Sequence, residues 1–186
     1  VETAKGPVFV KCAPAGQREL LEAEREGLEA LAAAEALRVP MPIADGATEA
    51  AAFLALEWVE FRPPTPSAER ALGEGLAALH RCVGGCFGHE RDNFIGRTPQ
   101  PNGASADWVA FLRERRLGHQ LELAAANGHG GRLQDRGGRL LECLDVFFAT
   151  YRPLPSLLHG DLWGGNWGVD EAGRPVVFDP AVYRGD

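Results

Sequence analysis

The chain of 186 residues is long enough for one large domain or two small lobes, and an apolar fraction of 45% can build a sizeable core. A formal net charge of −7 argues against a nucleic-acid-binding surface or an anionic membrane partner, and no stretch approaches the roughly 18 apolar residues that span a bilayer. Four scattered cysteines (Cys12, Cys82, Cys86, Cys143) are too few for a secreted disulfide framework and lack zinc-finger partners, so reduced thiols in a cytoplasmic protein are expected.

The N-terminal VETAKGPVFVK has no signal-peptide layout and starts without Met, so the chain is expected to begin inside a longer protein. PVFVKCA (residues 7–13) is short, rich in β-branched residues and Pro-bounded, which predicts a strand ending near Lys11. Strong helix formers fill residues 17–36, with Leu20, Leu21, Leu28 and Leu31 on one face and Gly27 as a weak point. RVPMPIADG reads as an extended connector and AAFLALEWVEF (residues 51–61) as a buried strand. FRPPTPS then carries three prolines in four positions, a stiff linker that predicts a lobe boundary over residues 61–66.

Beyond it the pattern turns helical. Ser67 is placed to cap a helix with Ala71, Leu72, Leu76 and Leu79 on one side. Residues 84–106, rich in Gly, Pro and Asn, form a long irregular segment of the kind that carries function. Asp107 is placed to cap a third helix bearing Trp108, Phe111 and Leu112, which GHGG interrupts near residue 128. A fourth helix covers about residues 132–150, with Leu140, Leu141, Leu144 and Phe147 or Phe148 inward.

The closing stretch holds the chemistry. HGDLWGGNWG, His159 to Gly168, contains one acid, one amide, two tryptophans and four glycines, a mixture suited to neither helix nor strand. Asp161 precedes Asn166 by five residues, the D-L-x-x-x-N spacing in which Asp accepts a substrate hydroxyl proton and Asn takes a metal in phosphoryl transfer. Gly164 and Gly165 are expected to let the backbone turn between them. WGVD and PVVF then flank EAGR as a hairpin. With Ala172 and Gly173 as the turn, Trp167 faces Phe178 and Asn166 faces Asp179, two hard oxygen ligands for Mg²⁺. A one-residue bulge would splay that pair. Asp170 falls on the turn side, where a solvated role is expected, and His159 is read as a support of the loop.

Phosphoryl transfer also asks for a strand lysine facing the phosphates and a helix acid to hold it. Lys11 ends PVFVK, and one of Glu19, Glu22, Glu24 and Glu26 is expected to face it. Ordinary turn residues and a surface lysine beside an acidic helix are the plain alternatives for each residue taken singly.

Taken in order, FVK, EREGLEAL, RVPMPIADG, FLALEWVEF, FGHERDNFIGRTPQPN, RERRL, HGDLWGGNWG and VVFDPAVYRGD resemble the fructosamine-3-kinase (ketosamine kinase) family along essentially the whole chain. That family lies within the protein-kinase-like, aminoglycoside-phosphotransferase-like fold. The resemblance implies an α+β, two-lobed architecture: an incomplete N-lobe over residues 1–60, a linker over residues 61–66 and a mainly helical C-lobe over residues 67–186 with its last helices missing. It implies ATP and Mg²⁺ as cofactors. Lys11 resembles the phosphate-binding lysine, Glu24 its ion-pair partner, and Glu57, Trp58 and Val59 the hinge whose backbone holds adenine. Asp161 resembles the catalytic base and Asn166 with Asp179 the metal ligands. Asp92, Asn93 and the TPQPN loop resemble the segment beside the sugar pocket, and Trp163 is placed to stack on the sugar.

The implied reaction phosphorylates O3 of a ketosamine, free or on a glycated protein, and the product then breaks down to release the amine. DPA stands where protein kinases carry DFG, so no activation-loop phosphoswitch is implied. Only ten residues precede Lys11, too few for the glycine-bearing phosphate loop of the family, and the family continues past Asp186. The chain therefore reads as trimmed at both ends. A phosphotransferase of the same fold acting on aminoglycosides or choline, and a non-catalytic nucleotide-binding remnant, stay open as alternatives; GHERDNFIGRTPQPN favours the ketosamine reading.

Overall fold

The computed structural model describes residues 1–4 and 6–186. A four-stranded antiparallel sheet in the order β1-β2-β4-β3 opens the fold, from β1 (Glu2–Thr3), β2 (Gly6–Pro14), β3 (Pro42–Ala47) and β4 (Ala51–Glu57). Lys11 on β2 pairs with Leu54 on β4. The apolar run after Ala51 stays a strand only to Glu57; Trp58 to Phe61 leave the sheet and stand partly exposed. Helix α1 (Arg18–Ala33) packs on this sheet through Leu21, Leu28 and Leu31, the face its leucine spacing prescribes.

Thr65, rather than Ser67, caps α2 (Pro66–Leu79): its hydroxyl accepts from Ala68 N, and Pro66 takes the first turn, where a missing N–H costs nothing. The segment after α2 is irregular apart from the hairpin of β5 (Asn93–Ile95) and β6 (Thr98–Gln100). Asp107 caps α3 (Trp108–Phe111) by accepting from Ala110 N at 2.6 Å. That helix continues through a π-helical stretch, Leu112–Gly118, into α4 (His119–Ala126). The expected fourth helix is two: α5 (Arg132–Glu142) and α6 (Leu144–Phe147), broken at Cys143. Leu144 is buried and Phe148, rather than Phe147, packs inward against Phe87, Trp108 and Phe111, while Leu140 faces outward, so the inward face is narrower than the leucine pattern implies.

The chain closes with β7 (Ser156–Leu158) paired to β10 (Tyr183–Gly185), and between them the hairpin of β8 (Trp167–Val169) and β9 (Pro175–Val177). One apolar cluster joins Leu28, Leu31 and Leu54 to Leu79, Leu157, Val177 and Val182, residues from both sides of the proline-rich segment. Val177 N donates to Arg38 O, and Arg62 N to Val169 O, so the hairpin is stitched to the segments that flank β3 and β4. No helix among the described residues is long and apolar enough to cross a membrane.

Candidate active site

The site is built where the hairpin β8–β9 meets the sheet. Its register differs from the expected one by a residue. Trp167 faces Val177 and Val169 faces Pro175, so Asn166 lies opposite Phe178 rather than Asp179. The cause is the loop. Asp170 N donates to Arg174 O and Gly173 N to Asp170 O, leaving three residues in the turn with Gly173 at φ 79°. Asp170 is consequently not a solvated turn residue. It is 5% exposed, its carboxylate accepts from Arg174 N at 2.8 Å and Arg174 Nε at 2.9 Å, and Arg38 Nε stands 3.5 Å away. Burial alone would raise its pKa, but the Arg174 bonds and the two guanidinium charges hold it below the ordinary value.

Despite the one-residue shift, Asn166 and Asp179 border one cavity, and the Asn166 amide reaches the Asp179 backbone. Phe178 N donates to Asn166 O, and Asp179 follows in the left-handed region at φ 55°. Asn166 Nδ2 donates to the backbone oxygens of Asp161 (2.8 Å) and Asp179 (3.4 Å) and reaches Asp161 Oδ2 at 3.2 Å. This buried amide therefore ties Asp161 to Asp179. Its own oxygen has no hydrogen-bond donor among the described residues. The amide oxygen of Asn166 and the carboxylate of Asp179 are hard oxygen donors of the kind Mg²⁺ takes, and phosphate oxygens ordinarily complete such a shell. Among the described residues no cluster of three or more His, Cys, Asp or Glu could hold a metal.

His159 supports the loop. It is 2% exposed, its Nε2 lies 3.1 Å from Phe178 O, and Asp161 N donates to its Nδ1 at 3.4 Å. With Nδ1 accepting, Nε2 carries the proton and the ring is neutral. Burial pushes its pKa down, against the raising effect of the Phe178 carbonyl, Asp161 and Asp179. The glycine that matters to the turn is Gly160, at φ 83°, where a Cβ would run into the Ala181 carbonyl. Gly164 and Gly165 do not use positive φ, and the exposed Trp163 ring lies where a Cβ on Gly165 would be.

Lys11 reaches across from the sheet. Its Nζ donates to Glu24 Oε1 at 2.7 Å and to Asp179 Oδ1 at 2.5 Å, so Glu24 is the one of the four helix acids that faces it. Burial alone would lower the Lys11 pKa, but the two carboxylates outweigh it and hold the ammonium above its ordinary value. Burial dominates at Glu24 and raises it.

Two cavities share the Lys11–Asp179 pair as a wall. One, of about 300 Å³, is apolar, between Phe9, Leu56 and Trp58 on the sheet side and Phe61 and Phe178 on the other. Glu57 and Val59 also border it, and the backbone groups of Trp58 and Val59 make no hydrogen bond among the described residues. The Glu57 side chain turns away to an ion pair with Arg38. The second cavity, of about 320 Å³, is polar and brings Asp161, Asn166 and Glu24 together with Trp163, Asn93 and Phe94. Trp163 is 64% exposed at its mouth. Asn93 is buried and its Nδ2 donates to Val182 O at 2.8 Å, whereas Asp92 is exposed and its Oδ1 accepts from Asn102 N at 2.6 Å. Gln100 and Asn102 were marked in the sequence only as part of the TPQPN loop and Arg38 not at all, because nothing local marks a buried polar residue whose partners lie far along the chain.

An apolar slot with free backbone groups, a half-buried lysine and a polar cavity with an Asp–Asn–Asp constellation are parts that a kinase cleft uses. Comparison with known proteins agrees. A family model for fructosamine kinase matches residues 1–186. A protein of Synechocystis sp. designated a probable ketoamine kinase is 41% identical over 179 residues, 96% of this chain and 60% of that protein. The crystal structure of a protein of Haemophilus somnus 129PT designated a fructosamine-3-kinase superposes with a TM-score of 0.86 at 29% identity, over 96% of this chain and 60% of that one. An aminoglycoside phosphotransferase of Streptomyces rimosus, solved with ADP and streptomycin, shares the fold at a TM-score of 0.55 and 20% identity, over 100% of this chain and 69% of that one. The chain thus spans about 60% of the length of these two fructosamine and ketoamine kinase relatives. Its fold is α+β and protein-kinase-like, and the chain belongs to the fructosamine kinase family.

Proposed function

We propose that the chain carries the nucleotide and phosphoryl-transfer sites of an ATP-dependent ketosamine kinase that phosphorylates the sugar 3-hydroxyl of a fructosyl- or ribulosyl-amine, free or protein-bound. The observation that carries the reading is the shared wall: Lys11 and Asp179 border both the apolar cavity and the polar one, so a nucleotide in the first presents its phosphates to the second.

The residues divide the work. The backbone of Trp58 and Val59 is free to pair with adenine, whose faces fit between Leu56 and Phe178. Lys11, kept charged by its neighbours, binds phosphate oxygens, and Glu24 holds it there. Asn166 and Asp179 would hold Mg²⁺, which when bound offsets charge on the phosphate oxygens. Asp161 accepts the hydroxyl proton as the sugar oxygen bonds to the γ-phosphorus and the bond to the ADP oxygen breaks. The transition state is loose, so Asp161 places the proton and the hydroxyl more than it abstracts. Asn166 fixes the base for this by holding its backbone and carboxylate together. Trp163, at the mouth of the polar cavity, offers a face to the sugar ring, and Asn93 borders the same space. Four free cysteines suit a reducing compartment such as the cytoplasm.

The test is ADP release by the full-length protein with fructosyl- and ribulosyl-lysine peptides, with ³¹P NMR to locate the new ester. Sugar-dependent turnover with phosphate on O3 is expected. Turnover on an aminoglycoside or choline but on neither sugar amine would overturn the substrate class.

A further inference from the structure

Three amides form a buried chain beside the site. Asn93, Gln100 and Asn102 are each at most 5% exposed. Asn93 Oδ1 accepts from Gln100 Nε2 and from Asn102 Nδ2, both at 2.8 Å. Two donors then leave the cluster for one short target: Gln100 Nε2 to Ala181 O at 3.1 Å and Asn93 Nδ2 to Val182 O at 2.8 Å. The far end is anchored by Arg116, which donates to Asn102 Oδ1 at 2.6 Å and lies over the Tyr183 and Phe111 rings. Buried amides are costly unless satisfied, and here the satisfying carbonyls belong to residues 181 and 182.

Those carbonyls sit just past Asp179, which holds a φ of 55° that residues with a Cβ disfavour. Such a conformation persists only where its surroundings over-determine it. On the near side, Phe178 is fixed by His159 and Asn166. On the far side, Ala181 N donates to His159 O, and the two amides hold the carbonyls of Ala181 and Val182. We infer that Gln100 and Asn93 are positioning residues for Asp179: through the backbone of Ala181 and Val182 they keep its carboxylate turned to the wall between the two cavities. This rests on the reading of Asp179 as a metal ligand. It gives the TPQPN segment a task in cation affinity, distinct from contact with sugar.

The test compares metal-dependent with metal-independent binding in the full-length protein. Free Mn²⁺ is counted by EPR during titration of the ADP complex, and ADP affinity is measured separately in EDTA. Gln100→Met keeps the side chain's length and removes its donors. It is expected to weaken Mn²⁺ binding by about 10-fold or more, the range typical of partners that orient a ligand, with ADP affinity in EDTA within about twofold of wild type. Asn93→Leu gives a second reading should Gln100→Met fold poorly, and Leu144→Val, a buried change on α6 that borders neither cavity, reports what lost stability alone does. Asp179→Ala separates the two ideas. Should it lose Mn²⁺ while both amide variants bind it as wild type does, the positioning role is overturned and the ligand reading stands. Should Asp179→Ala itself bind Mn²⁺ normally, both are overturned.

Discussion

Lys11 Nζ stands 2.5 Å from Asp179 Oδ1 across the wall that separates the apolar cavity from the polar one. In this arrangement the proposed phosphate-binding cation and the proposed metal ligand neutralise each other. A nucleotide carrying Mg²⁺ offers each of them a better partner: phosphate oxygen for the lysine, the cation for the carboxylate. Asp179→Ala is therefore expected to weaken ADP binding in Mg²⁺ by about 10-fold or more and to leave ADP binding in EDTA within about twofold. Calorimetric titrations under the two conditions check this; equal losses in both would show that Asp179 acts only through Lys11.

Gly160→Ala tests the backbone of the loop. Gly160 combines φ 83° with a direction in which any Cβ would meet the Ala181 carbonyl, and backbone there has no soft way to yield. The expected loss is about 2–4 kcal/mol of stability, with turnover below 1% of wild type, on the order of 10²-fold, in whatever fraction stays folded. Denaturant melts and turnover per folded molecule check the two parts; a variant as stable and active as wild type would contradict the packing of residue 160 on residue 181.

The neutral ring of His159 predicts a pH effect of definite sign. Its folded pKa lies below 6.5, so between the two values the unfolded chain binds more protons and stability falls as pH falls. Half-buried His89 is shifted the same way and adds to the slope. Tm measured at pH 7.5 and pH 5.5 should drop more for wild type than for His159→Asn. Equal drops would assign the whole slope to other groups.

Asp170→Asn is expected to lower Tm by roughly 3–9 °C at neutral pH, since bonds to a charged acceptor are lost in a mostly buried position. The folded pKa of Asp170 is depressed, so its contribution is present above about 3.8, the ordinary value, and is lost as pH falls through the folded value. The Tm gap between wild type and variant should close in strong acid. A gap that persists there would point to packing rather than charge.

Much of the site is legible in the sequence because its spacing is local. Asp161 and Asn166 sit five residues apart on one loop, and the strand holding Lys11 and the helix holding Glu24 follow closely in the chain. What escaped depends on single residues or on distant ones. One extra residue in the Glu171–Gly173 loop moves the whole hairpin by a register, and the composition EAGR is compatible with either turn. Asp170 looks like a turn residue in sequence; its bonds to Arg174 are local, but the second guanidinium beside it, that of Arg38, comes from 132 positions earlier. The amides of residues 93–102 are visible as a segment, yet their targets lie 81 and 89 residues away. The outward-facing Leu140 and Phe147 show the converse: a leucine stripe states which face is apolar and not what it packs against.

The account turns most directly on Asp161. Wild type and Asp161→Asn, both full length, should be compared for sugar-dependent ADP release with a ribulosyl-lysine peptide and for Mg²⁺·ADP affinity by calorimetry. The predicted result is a fall in turnover on the order of 10²–10⁴-fold with nucleotide affinity unchanged within about twofold. Wild-type turnover by Asp161→Asn would contradict the assignment of the base and, with it, the phosphoryl-transfer reading of the cleft.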